Sequence, residues 1–177
     1  EHPYLLPVFD VNTTHEPPYI VMRYLEGGTL KDVIEHHTIV PLSEILYFMR
    51  QIAGALDYAH RQGVVHRDIK PSNVMVDEDG NAFLMDFGIA RITEGEGLTQ
   101  TGFTVGTPGY MSPEQGIAED GITPAADVYS LGVMLYEMAT GKPPFGGATP
   151  MAILMKHIQD DIPSAVQENS ELPEEID

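Results

Sequence analysis

The sequence predicts an α+β fold that opens on a few strands and continues mainly as helices. Three observations carry this: two short runs of β-branched and aromatic residues start the chain, one apolar hairpin follows, and the longest segments show apolar residues three and four apart. Tyr4 to Phe9 and Tyr19 to Leu25 read as two strands of one sheet, separated by the turn-forming stretch Asn12 to Pro18. Gly27 and Gly28 break that pattern before a short helix from Thr29 to His36, and Pro41 closes the connection after it. From Ser43 to Gln62 the apolar positions Ile45, Phe48, Met49, Ile52, Leu56 and Ala59 line one helical face, with Ser43 as N-cap and Gly63 just past the end. Val74 to Val76 and Ala82 to Met85 flank Asp77 to Gly80 as a hairpin. Residues 93–104 have no periodicity and many glycines and threonines, which predicts a mobile loop. Thr123 and Pro124 start a helix that Gly141 stops; its apolar residues point in all directions, so it should be buried nearly all round. A last helix is expected from Thr149 to about Gln159, and the acidic stretch from Asp160 to Asp177 reads as a solvated connection.

Composition narrows the function. The 177 residues hold 27 Asp and Glu against 9 Lys and Arg, a net charge of −18, and such a surface repels a phosphate backbone, so no nucleic-acid partner is expected. Hydrophobic residues make up 42% of the chain, enough for a sizeable core. No apolar run approaches the roughly 18 residues of a membrane span, and no basic-then-apolar leader opens the chain; a cytoplasmic setting is expected for these residues, with membrane anchoring of a longer parent chain through another segment left open. Without cysteine, the chemistry must come from oxygen and nitrogen groups. His15, His36 and His37 lack partners at metal-ligand spacing, and Asp77 and Asp79 suit hairpin turn chemistry better than calcium binding.

The dense segment is His66-Arg67-Asp68-Ile69-Lys70-Pro71-Ser72-Asn73, followed beyond the hairpin by Asp86-Phe87-Gly88. A carboxylate, an amide and a second carboxylate around one amine suit a hard, oxygen-loving cation that carries a polyphosphate. Two further blocks follow in order: Gly106 to Glu114, ending Ser112-Pro113-Glu114, and Asp127 to Gly132.

These four blocks resemble the protein kinase signature of H-R-D-x-x-x-x-N, D-F-G and the activation-segment end, with Ser-Pro-Glu in place of Ala-Pro-Glu. Their style is similar to that of bacterial serine/threonine kinases. The resemblance implies a protein-kinase-like fold, in which residues 1–25 are a remnant of the small-lobe sheet and hinge and residues 26–177 most of the helical large lobe. It implies transfer of phosphoryl from ATP, with Mg²⁺, to serine or threonine hydroxyls of protein substrates. Asp68 would orient the substrate hydroxyl, Lys70 would neutralise the transferring group, and Asn73 and Asp86 would hold metal. Thr107 matches the threonine that bonds the aspartate and the lysine. Met22 falls at the gatekeeper position, the backbone of Arg23 and Leu25 would face the adenine edge, and Met75 would lie under the ring. Val8, His66 and Phe87 would form an apolar stack between lobes, and Asp127 would receive backbone N–H groups of the loop around Asp68. Arg67 and Arg91 could converge on a phosphate carried by Thr99, Thr101 or Thr104.

The match is incomplete. The glycine-rich loop, the strand lysine and the helix glutamate of the family do not occur in residues 1–177, nor does the arginine partner of Glu114. The chain therefore reads as part of something longer, and residues 1–177 alone are expected to be inactive. The alternative is a catalytically dead scaffold, against which the intact Asp68, Lys70, Asn73 and Asp86 argue. A phosphotransferase for small molecules is a third reading, against which Gly106 to Glu114 argues.

Overall fold

The computed structural model describes residues 2–37, 39–87, 107–117 and 121–176. Two small antiparallel sheets and a larger set of helices make an α+β architecture, as predicted. The first sheet joins β1 (Val8–Asn12) to β2 (Tyr19–Met22), with Asn12 opposite Tyr19 and Val8 opposite Met22. The expected strand from Tyr4 to Phe9 is split at Pro7. Before it, Leu6 N donates to Leu84 O (2.9 Å) and Leu84 N to Tyr4 O (2.9 Å); Pro7 O itself accepts from Arg23 N (2.9 Å). A proline without a donor N–H marks where the chain leaves one sheet for the other.

The second sheet has the order β3-β4-β5, with β3 Gly27–Thr29, β4 Val74–Asp77 and β5 Ala82–Leu84. The hairpin β4–β5 pairs Val74 with Leu84 and Val76 with Ala82, and these four are buried while Met75 is partly exposed on the other face. Strand β3 corrects the expectation of a break at Gly27 and Gly28. Gly27 has φ +139°, and a Cβ there would stand 2.1 Å from Val76 O, so the glycine permits a backbone approach that a side chain would forbid.

Helix α1 (Leu30–His37) is capped reciprocally: Thr29 N donates to Asp32 Oδ2 (2.7 Å) and Asp32 N to Thr29 Oγ1 (3.3 Å). The Thr29 hydroxyl, which donates to Asp32 Oδ2 at 2.6 Å, and the Thr29 N–H after it hold the Asp32 carboxyl below the usual range. Helix α2 (Leu42–Arg61) starts before the expected Ser43 cap, because Pro41 O accepts from Glu44 N and Ile45 N while no side chain caps the end. Its C-terminus is as expected, Gly63 taking φ +76° with its N–H on His60 O. Gln51, buried on α2, accepts from Ala82 N at 2.6 Å and so docks the hairpin on the helix.

Beyond the short α3 (Pro113–Gly116), helix α4 (Pro124–Thr140) has Thr123 accepting from Ala125 N and Gly141 ending it at φ +79°. Its all-round burial holds except for one stripe, where Val128 is 61% exposed and Gly132, one turn on, is exposed too. Met134 and Met138 on α4, Ile45 and Ile52 on α2, and Leu30, Ile69 and Leu84 fill the core. Helix α5 (Pro150–Gln159) begins at Thr149 as predicted. The tail is more than a connection: α6 (Ala165–Glu168) buries Ala165, and Asn169 Nδ2 donates to Ala139 O at 2.8 Å. Among the described residues no helix is long and apolar enough to cross a membrane.

Candidate functional site

Residues 64–73 run between α2 and β4 without regular structure until the 3-10 turn Pro71–Asn73. Met85 N donates to Asn73 O at 3.0 Å, which brings the end of the hairpin back beside that turn. The two motif segments thus meet, although thirteen residues separate Asn73 from Asp86 in the chain.

Asp68 is the hub. Lys70 Nζ donates to its Oδ2 at 2.7 Å, and Asn73 Nδ2 donates to the same oxygen at 2.9 Å and to Asp68 O at 2.8 Å. Lys70 Nζ also donates to Thr107 Oγ1 at 3.3 Å. Of the two partners expected for Thr107, the structure gives it the lysine. The Asp68 and Lys70 side chains are 38% and 19% exposed, so this ion pair stays accessible from solvent. Among the described residues both side-chain bonds fall on Asp68 Oδ2 and none on Oδ1. The Asn73 amide has its nitrogen committed to Asp68, so its oxygen is directed elsewhere.

Asp86 is held at φ +61° and Arg67 at φ +70°, a left-handed conformation that is uncommon outside glycine. Two non-glycine residues in that region flank the site, and such backbone strain concentrates where function requires it. Arg67 is pinned on both sides of its α-carbon. Its N–H donates to Asp127 Oδ1 (2.7 Å), and its carbonyl accepts from Gln115 Nε2 (2.8 Å). Gln115 is itself fixed, since its Oε1 accepts from Ser112 N (3.2 Å) and Ser112 Oγ (3.1 Å).

Asp127, wholly buried in the first turn of α4, takes the role expected of it. Its Oδ2 accepts from His66 N at 2.8 Å as well, and also from His60 Nε2 at 2.7 Å. His66 is buried; its Nδ1 accepts from Asp68 N (3.3 Å) and its Nε2 donates to Met85 O (2.8 Å). Both bonds call for the neutral ring with the proton on Nε2, in agreement with burial, which pushes this imidazole below its usual pKa. Its ring lies 4.6 Å from that of Phe87. Val8, the third member of the expected stack, is 47% exposed at the head of β1, so the described stack is His66 with Phe87.

The turn Pro108–Tyr110 is anchored to α4, where Ser130 Oγ donates to Tyr110 O (2.7 Å) and the Tyr110 hydroxyl, on a half-buried side chain, donates to Glu137 Oε2. Burial raises both groups; the bond to Glu137 adds to the rise of the Tyr110 phenol, whereas the same bond opposes the rise of the Glu137 carboxyl.

Met22 ends β2, and the next residue, Arg23, donates its N–H to Pro7 O. Met75 lies on the hairpin face turned away from the core. Glu114 is partly buried in α3. Arg91, Thr99, Thr101 and Thr104, together with the loop expected over 93–104, lie outside the described residues. His60 and Gln115 were not singled out by their sequence pattern; the available signal for His60 was its place on the last turn of α2, six residues before His66.

A family model described as protein kinase domain matches residues 1–177. A probable serine/threonine-protein kinase of Clostridium acetobutylicum is 44% identical over 168 residues, covering 94% of this chain and 25% of that protein. The serine/threonine-protein kinase PrkC of Bacillus subtilis is 39% identical over 178 residues, covering 100% of this chain and 27% of its own length. PknB of Mycolicibacterium smegmatis is 38% identical over 184 residues, covering 99% of this chain and 29% of its own. The chain thus spans between 25% and 29% of the length of these three relatives.

Proposed function

This chain belongs to the protein kinase family, and from that premise we propose that its Asp68 cradle serves phosphoryl transfer from ATP to serine or threonine hydroxyls of proteins. The observation that carries the reading is the shared Asp68 Oδ2: Lys70 and Asn73 both donate to it, which fixes the carboxylate and, among the described residues, leaves Oδ1 without a side-chain donor. There it would accept the hydrogen of a substrate hydroxyl and align that oxygen with the γ-phosphorus. A new O–P bond forms as the bond to the β,γ-bridging oxygen breaks; ADP leaves, and the hydroxyl proton passes to Asp68 or to the transferred phosphate. Lys70 Nζ, kept in place by Asp68 and Thr107, would offset the negative charge of the phosphoryl group in transit.

The donor set fits Mg²⁺. The Asn73 amide oxygen and the Asp86 carboxylate are hard oxygens, and this ion is commonly held by one or two such groups with the rest of its shell from phosphates and water. When bound, it would supply positive charge to the phosphates. Arg23 and Leu25 would border the adenine edge at Met22, with Met75 beneath. The names of the relatives support a protein substrate, and the Tyr110–Glu137 and Ser130–Tyr110 bonds support it too, because they build a fixed shelf beside Thr107 where a peptide could lie.

The test is transfer of labelled γ-phosphate to a generic protein substrate by the whole protein, beside Asp68→Asn and Asp86→Asn. Each variant should lose at least about a hundredfold in turnover with its thermal midpoint unchanged. Phosphate appearing on serine or threonine in the parent, and near-absent in both variants, supports the reading. An inactive parent that still binds nucleotide would establish the scaffold instead.

A further inference from the structure

Helix α5 buries a single one of its residues, and that residue is polar. His157 is 4% exposed, with Nδ1 2.7 Å from the Tyr129 hydroxyl on α4 and its ring edge-on to that of Phe145, centroids 4.8 Å apart. Its Nε2 is buried too and, among the described residues, makes no hydrogen bond. An apolar side chain would fill this place without that cost, so the second nitrogen calls for a use.

The elements around α5 indicate one. The helix packs against the turn Pro108–Tyr110 and against α3, the latter so closely that a Cβ at Gly116 would stand 2.6 Å from Leu154 Cδ1. Within the turn, the Gly109 backbone acts on His157 and favours a proton on its ring. A carbonyl does that, whereas an N–H would do the reverse. Tyr110 is tied to α4 by its own hydroxyl and carbonyl, and Thr107 accepts from Lys70; Gly109 between them has no side chain by which to be held. Among the described residues a Cβ at Gly109 would meet nothing within 4 Å, so the turn is open on that side, where a polypeptide can lie.

We propose that His157 is a positioning residue for the protein substrate: with Tyr129 O–H donating to Nδ1, its proton stands on Nε2 towards the Gly109 carbonyl and sets the height of the turn Pro108–Tyr110. In the other tautomer a lone pair would face that carbonyl, and the two would repel. The anchor is α4, through Tyr129, and the element it steadies is the shelf. This role rests on the phosphoryl-transfer reading for its kinetic readout alone.

Myelin basic protein serves as the probe, because a chain of net charge −18 favours a cationic substrate. In the whole protein His157→Asn keeps an amide at the Nδ1 position and stops short of Gly109, whereas His157→Gln places its amide N–H at the Nε2 position. His157→Asn should raise KM for the probe about fivefold or more, with kcat and KM for ATP within about twofold of the parent. Hydrogen exchange at the Tyr110 and Met111 amides, which bond to Thr107 O and Pro108 O, should quicken by about the same factor. His157→Gln should keep both quantities within about twofold of the parent. Nitrogen-15 NMR of the parent should find the ring neutral with its proton on Nε2, the signal being assigned by its loss in His157→Gln. Should His157→Asn fail to fold, Tyr129→Phe takes its place: it removes the hydroxyl that fixes the tautomer and should shift KM for the probe in the same direction. A proton on Nδ1 would overturn the proposal, and so would equal losses in the Asn and Gln variants, which packing alone explains, or no loss in either. A parent without transfer activity would refute the phosphoryl-transfer reading, and the tautomer and exchange measurements would then decide the role of His157 by themselves.

Discussion

Replacing Asp127 by asparagine removes a charge and almost no volume, which separates hydrogen bonding from packing. The aspartate meets three N–H donors, two on Oδ2 and one on Oδ1. An amide has only one acceptor oxygen. With that oxygen in the Oδ2 position, the new NH₂ group faces Arg67 N; turned over, it faces His66 N and His60 Nε2 together. The better orientation therefore leaves one donor unmatched, and the two surviving bonds lose the help of the charge. A hydrogen bond to a charged group contributes about 1.5–3 kcal/mol, and an unmatched buried donor costs about 1–3 kcal/mol, so a loss of about 3 kcal/mol is expected. With an unfolding entropy of about 2.1 cal/mol/K per residue, about 0.37 kcal/mol/K for a domain of this size, the midpoint should fall by about 8 °C. Calorimetry and urea titration of the parent and the variant measure this directly. Asp57→Asn is the matched control: Asp57 pairs with Arg61 at 2.9 Å, but their side chains are 65% and 68% exposed, and such a pair contributes at most about 0.5 kcal/mol. If Asp127→Asn proved no more costly than Asp57→Asn, the account of the buried carboxylate as the clamp of this loop would be wrong.

The remaining predictions follow from the core, the shelf and the cradle. Met134 is fully buried between α2 and α4, so Met134→Ala should cost about 2–5 kcal/mol in denaturant titration, and a loss under about 1 kcal/mol would mean that the core closes over the gap. His157 is buried with its Nδ1 on the Tyr129 hydroxyl (2.7 Å) and its ring 4.8 Å from Phe145; burial holds its pKa down, the nearby Gly109 backbone pulling weakly the other way. The unfolded chain then takes up a proton that the folded one refuses, so this contribution is complete above pH of about 6.5 and declines below it by up to about 1.4 kcal/mol per pH unit. His157→Gln should flatten the dependence of stability on pH between about 5 and 7, and parallel curves for parent and variant would contradict it. Thr107→Val should lower turnover several-fold by freeing Lys70 on one side, while Thr107→Ser keeps it; equal activities of the two would show that the 3.3 Å contact does not orient the lysine.

Much of this was readable from the order of residues, and the exceptions share a cause. Periodicity located α2 because it buries one face in the core, start and stop residues located α4, and the hairpin was visible because Val74, Val76, Ala82 and Leu84 alternate with half-exposed residues. The motif spacing placed Asp68, Lys70 and Asn73 together because they lie within one short segment. Strand β3 was missed because glycine signals a break unless the partner strand is known, and only Val76 O shows why a side chain is excluded there. The cap of α2 was assigned to Ser43 on residue type, whereas Pro41 O satisfies the first N–H groups without any side chain. Val128 was expected inside because it is apolar, but a helix packed on three sides still leaves a fourth. His60 and Gln115 were invisible for the most instructive reason: neither approaches the reacting groups. Each contacts a group that holds Arg67 or the Asp127 carboxylate, partners 48 and 67 residues away in sequence, and no local pattern encodes a bond of that separation. What the sequence displays is the chemistry at Asp68, Lys70 and Asn73; what the fold adds is the set of remote side chains that keep a strained loop in the one conformation where that chemistry is aligned.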